Sequence, residues 1–158
     1  MKKLFSLFAV LLLVSACETT PSDDASAGMG GNGNMGPATP GSARDFVENV
    51  GDRVFYGTDS STLTSEARMT LDKQAAWLKK YGNTKVTVEG HADERGTREY
   101  NLALGERRAT AAKNYLVAAG IPASRVSTIS YGKERPAVVG STEAAYSQNR
   151  RAVTVVTQ

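Results

Sequence analysis

The apolar positions of this chain fall into three regimes. From Leu4 to Val14 they are almost continuous, from Glu18 to about Ser42 they are sparse and without period, and from Arg53 onward they recur with strand or helix spacing. The first regime follows Lys2 and Lys3 and precedes the small residues Ser15 and Ala16. That is the layout of a secretory signal, and the apolar run is too short to span a ~30 Å hydrocarbon core. In the third regime Arg53-Val54-Phe55-Tyr56 reads as a strand ended by Gly57. Thr64 is placed to cap a helix in which Ala67, Leu71, Ala75 and Leu78 share a face, with Lys79 and Lys80 in its last turn and Gly82 as its stop. Lys85 to Glu89 alternates as a second strand. A second helix is expected from about Glu99 to Ala119, closed by Gly120 and Pro122, and a third strand over Val126 to Tyr131. A loop through Pro136 leads to a short helix near Thr142–Ser147, and Arg151 to Val156 is the last strand. Strands alternate with helices and each has one face to bury, so the expected fold is α/β, a two-layer sandwich without internal repeats.

The middle regime is rich in Gly, Ser, Thr, Pro, Asn and Ala, and it cannot bury enough surface to offset the entropy of ordering. A Gly-rich coil of its length has an r.m.s. span of ~25–30 Å and stretches to roughly three times that. The expected division is a cleaved signal over 1–16, a linker over 17–43 and one domain over 44–158.

Charge and cysteine usage sharpen this. The chain has 19 basic and 16 acidic residues; Lys2 and Lys3 leave with the signal, so the mature side chains sum to about +1 and give no reason to expect nucleic acid as a partner. The one cysteine stands at the signal boundary. Val14-Ser15-Ala16-Cys17 resembles the bacterial lipobox, in which the thiol carries a diacylglyceryl group, cleavage falls before the cysteine, and the new amine is acylated. One acyl chain anchors only marginally, whereas three anchor stably. In this class an aspartate after the cysteine retains the product in the inner membrane, and Glu18 is compatible with export to the outer membrane. No cofactor or metal is expected beyond the covalent lipid on Cys17.

Catalytic chemistry is thinly supplied. One histidine and one lipidated cysteine leave no His/Cys metal cluster and no Cys-His nucleophile, and neither a Gly-x-Ser-x-Gly elbow nor a phosphate-cradling loop occurs. Glu89 with Asp93 is the carboxylate pair that a glycan hydrolase would need. The informative stretch is Gly90-His91-Ala92-Asp93-Glu94-Arg95-Gly96-Thr97, followed by Asn101-Leu102-Ala103-Leu104-Gly105-Glu106-Arg107-Arg108-Ala109. At about 100° per residue, the stripe Ala109, Ala112, Leu116, Ala119 sets the buried side of the second helix. Arg107 then points into solvent, while Arg108 lies beside the stripe on the side of Asn101, within reach of the loop that carries Asp93. On residues alone, Asp93 and Arg108 form either a structural salt bridge or a ligand site. His91 reads as a hydrogen-bonding strand-end or loop residue, and Trp77, Tyr100 and Tyr115 as packing residues.

These motifs, with Ser130-Tyr131-Gly132-Lys133-Glu134-Arg135-Pro136 and Asn149-Arg150-Arg151, resemble the OmpA-like peptidoglycan-binding domain family, and its lipoprotein members in particular, from roughly Arg53 to the C-terminus. One departure is Arg98, where relatives often carry proline. The resemblance implies a βαβα-type domain with a mixed sheet and no catalysis. It also implies a pocket for the diaminopimelate of the wall's stem peptide, with Asp93 on the ammonium and Arg108 on the carboxylate. Asp59, Thr97, Asn101 and Leu104 are further pocket candidates. The implied setting is the periplasmic face of the outer membrane, lipid-anchored, in exchange with the β-propeller of the Tol system during envelope constriction and cell division. The alternatives are a wall-binding lipoprotein without a Tol partner and, more distantly, a lipoprotein wall hydrolase.

Overall fold

The computed structural model describes residues 36–157. The signal segment, Cys17 and the linker as far as residue 35 lie outside the described residues. The elements run α1 (Ala43–Asp45), continued by a π-helical turn (Phe46–Val50), β1 (Arg53–Phe55), α2 (Ser65–Lys80), β2 (Val86–His91), α3 (Arg98–Ala118), a 3-10 turn (Ala123–Arg125), β3 (Val126–Gly132), α4 (Glu143–Asn149) and β4 (Arg151–Val156). The α/β reading holds, with a mixed four-stranded sheet in the order β1-β4-β2-β3. β2 and β3 are parallel, and β4 runs antiparallel to both of its neighbours.

Helix starts follow the capping chemistry of the sequence. Thr64, Thr97 and Thr142 each accept a hydrogen bond from the backbone N–H three residues on, which satisfies an otherwise orphaned first-turn donor. Arg98 fills the first helical position of α3, where proline is favoured because the N–H there needs no helical partner. The inward residues of the strands, Val54, Val86, Val88, Val126 and Ala152, meet Leu71 and Leu78 of α2 and Ala109, Ala112 and Leu116 of α3 in one core.

The segment before β1 differs from expectation, because the linker reading runs through Ala43. Ser42 caps α1, Phe46 is buried, and Asp45 accepts hydrogen bonds from Trp77 Nε1 (2.8 Å), the backbone of Gly41 (2.8 Å) and Asn49 Nδ2 (2.8 Å). Phe46 packs edge-on against Trp77, with ring centroids 4.9 Å apart. A segment without apolar period is thus tied down by one aromatic side chain and one acid.

Two features decide where the functional groups meet. Since β4 is antiparallel to both β1 and β2, strands β1, β2 and β3 all run one way, and the loops leaving β1 and β2 emerge at one edge of the sheet. The residue that leads into β4, Arg150, arrives at the same edge. The second feature is a backbone contact between α3 and β2. A Cβ on Gly90 would lie 1.8 Å from the Gly105 carbonyl oxygen, so only glycine permits this approach. It brings the turn of α3 that follows Gly105, including Arg108, down onto the end of β2. Among the described residues no helix is long and apolar enough to cross a membrane.

Candidate functional site

At that edge lies a cavity of about 210 Å³. The loop after β1 supplies Thr58 and Asp59, the loop after β2 supplies Asp93, Arg95 and Gly96, and α3 supplies Tyr100, Asn101, Leu104 and Arg108. Five of the six residues expected at the site therefore line it. Thr97 does not: its hydroxyl accepts the Tyr100 N–H as the N-cap of α3, so it positions the helix end. Glu89 does not either. It faces the opposite side of the sheet, 3.7 Å from His91 Nε2, so the Glu89–Asp93 pair does not form in the cavity.

Arg108 is wholly buried. Its Nε donates to the Ser60 carbonyl (2.8 Å), Nη1 to the His91 carbonyl (2.8 Å) and Nη2 to the Gly57 carbonyl (3.1 Å), so the helix side chain ties together the ends of β1 and β2. Three of the five guanidinium donors are used, leaving two. No carboxylate among the described residues lies within ion-pair distance of it, so the expected alternative of an Asp93–Arg108 salt bridge is not what forms. Burial lowers the guanidinium pKa to about 10, and it remains a cation at neutral pH. Its neighbour Arg107 is exposed, with its guanidinium 5.8 Å from the centroid of the Tyr100 ring.

Asp93 is 7% exposed and already paired. Oδ1 accepts from the backbone N–H and Nε of Arg95, each at 3.1 Å, and Oδ2 accepts from Arg95 Nη2 (2.7 Å) and Arg150 Nη1 (3.4 Å). Burial pushes its carboxyl up, but these hydrogen bonds outweigh it and hold the pKa below the usual value of 3.8. Asn101 is buried and donates to the Arg95 carbonyl (2.7 Å), pinning the loop from inside. Asp59 sits at φ 52°, a left-handed conformation that aspartate tolerates better than most residues, and accepts a hydrogen bond from the Tyr100 hydroxyl.

Three side-chain readings need correction. Tyr100 is 44% exposed and lines the cavity instead of packing in the core, whereas Trp77 and Tyr115 do pack there. Arg95 and Arg150, which hold Asp93, were not expected at the site; Arg95 follows Asp93 by two residues, a spacing at which a side chain can return to its own loop. His91 ends β2 as expected, but neither ring nitrogen finds a hydrogen-bond partner among the described residues. Burial first, then the charges of Arg151 and Arg135, lower its pKa to about 4, so it is neutral.

The family model described as the OmpA family matches residues 55–150. The chain is 55% identical over 145 residues to the peptidoglycan-associated lipoprotein of Agrobacterium fabrum, covering 92% of this chain and 82% of that one. It is 44% identical to the protein of the same name from Pasteurella multocida, covering 97% and 98%. The crystal structure of the peptidoglycan-associated lipoprotein from Burkholderia pseudomallei superposes with a TM-score of 0.65 at 37% identity, over 67% of this chain and 90% of that one. The C-terminal domain of Helicobacter pylori MotB shares the fold at 17% identity, with a TM-score of 0.63 over 68% and 84%.

Proposed function

This chain belongs to the OmpA family, alongside the peptidoglycan-associated lipoproteins, and on that premise we propose that its domain holds peptidoglycan non-covalently and without catalysis. The observation that carries this reading is Arg108, a fully buried guanidinium with spare donors and no carboxylate partner among the described residues, lining a cavity beside Asp93. A buried cation without a counter-ion is costly unless a ligand supplies one, and a planar fork suits a carboxylate. The zwitterionic end of a diaminopimelate stem peptide offers a carboxylate for Arg108 and an ammonium for Asp93, with Leu104 against the methylenes between them.

Acylation at Cys17 would fix the chain to the periplasmic face of the outer membrane, so that one molecule joins membrane to wall. Exchange with the β-propeller of the Tol system during constriction is a further element of the proposal and rests on the sequence resemblance. The test is incubation of the protein with purified sacculi. The expected result is co-sedimentation with no soluble muropeptides released; release of fragments would mean an enzyme, and absence from the pellet would reject wall binding. A pulldown from envelopes in which the Tol propeller is missing would remove the Tol element alone.

A further inference from the structure

Both oxygens of Asp93 are occupied by cations, and the two cations differ in how firmly they are held. Arg150 is rooted: its side chain is 7% exposed, Nε donates to the Tyr56 carbonyl (3.1 Å), and Nη2 donates to Glu143 (2.6 Å). Arg95 is not. Its side chain is 43% exposed, its hydrogen bonds among the described residues all go to Asp93, and its guanidinium lies 4.4 Å from the centroid of the Tyr146 ring. The backbone of the same loop is held at three successive carbonyls, by Asn101 on that of Arg95 and by Lys133 Nζ on those of Glu94 (3.1 Å) and Gly96 (2.7 Å). The side chain of Arg95 can therefore leave Asp93 without the loop moving.

We infer that Arg95 is the exchangeable counter-ion of the site: a ligand ammonium takes the place of its guanidinium on Asp93, and the Arg95 side chain moves out toward solvent. The inference rests on the reading that Asp93 receives the ligand's ammonium. In the free protein Arg95 compensates a carboxylate that burial would otherwise penalise, and in the complex the ammonium does so. One cation replaces another, so the charge around Asp93 is the same before and after. Arg95 is thus a competitor for the ligand and a stabiliser of the empty site. A ligand without an ammonium leaves it in place.

The test compares the full-length chain and its Arg95→Ala variant, in detergent, by calorimetric titration with a diaminopimelate stem peptide and with the same peptide acetylated on its terminal amine. Removal of a partly exposed competing ion pair should tighten binding of the parent peptide about threefold to tenfold. The melting temperature of the empty protein should fall, and the weaker binding of the acetylated peptide should be unaltered. Parent-peptide affinity that is unchanged or reduced in Arg95→Ala would overturn the exchange, and a reduction would mean that Arg95 grips the ligand itself. Wild-type protein titrated with the peptide amidated on its terminal carboxylate reports on Arg108 alone. If that peptide bound as well as the parent, the site reading would fail, and the exchange with it.

Discussion

Arg107 and Arg108 are neighbours in sequence with opposite fates. One lies over the Tyr100 ring in solvent and the other is buried among three backbone carbonyls. Helical phase alone distinguishes them. Their partners were not legible, because Arg108 binds carbonyls 48 and 51 residues away in the loop after β1, and no local pattern announces such a contact. Arg108→Ala should weaken wall binding by roughly 2–4 kcal/mol and also lower the melting temperature, since it leaves carbonyls unpaired, while Arg107→Ala should cost well under about 1 kcal/mol. Equal losses in a sacculus-binding assay would contradict this. His91 makes a pH prediction. Its folded pKa of about 4 lies below the unfolded value of 6.5. Between those values the unfolded chain binds a proton that the folded chain refuses, so stability falls as the solution is acidified from pH 6.5 to 4, by on the order of 3 kcal/mol. His91→Leu should flatten that limb in denaturant titrations at stepped pH, and an unchanged slope would assign it elsewhere.

At the scale of elements, periodicity was a good guide wherever a face had to be buried, as in α2, α3 and the alternating β2. It missed the turn at Phe46–Val50, because five residues give no measurable period and the turn is held by Trp77 and Asp45, partners from distant or polar positions. Hydrogen bonds from Trp77, then from the backbone of Gly41 and from Asn49, lower the Asp45 pKa to about 2. That contribution is complete above the unfolded value of 3.8 and is lost as pH falls toward 2, so Asp45→Ala should remove part of the acid sensitivity in that window. If the variant and the parent lose stability in parallel there, the hook is not an anchor. Gly90 tests the contact that seats Arg108. Gly90→Ala would drive a methyl into the Gly105 carbonyl and should destabilise the domain by about 3 kcal/mol, read as a drop of several degrees or more in the melting temperature. A melting temperature within a degree of the parent would show that the helix–strand approach is not tight.

At the scale of the whole molecule, the proposed tether divides the labour between Cys17, the acylation site that the lipobox resemblance implies, and the folded domain. The N-terminal part of that proposal rests on the signal layout and Cys17, which lie outside the described residues. Cys17→Ser should yield an unlipidated protein that leaves the outer-membrane fraction while its domain, whose core lies within the described residues, still melts cooperatively. Continued outer-membrane fractionation in cells lacking its partners would point to a second membrane attachment. The folded end was legible as a pair of charges, Asp93 and Arg108, but not as what they turned out to be: a carboxylate already compensated by Arg95 and Arg150, and a guanidinium already shared with the backbone. That double duty makes variation of the ligand a cleaner probe than mutation of the site. Lysine differs from diaminopimelate by one terminal carboxylate, the group assigned to Arg108, and loss of a charge-assisted pair typically costs on the order of 2–4 kcal/mol. Calorimetric titration of the unmodified protein at fixed salt, with diaminopimelate-type and lysine-type stem peptides side by side, measures that difference directly. The expected result is a preference for the diaminopimelate peptide of roughly thirtyfold to several hundredfold; affinities within a factor of about three of each other would rule out the Asp93/Arg108 pocket.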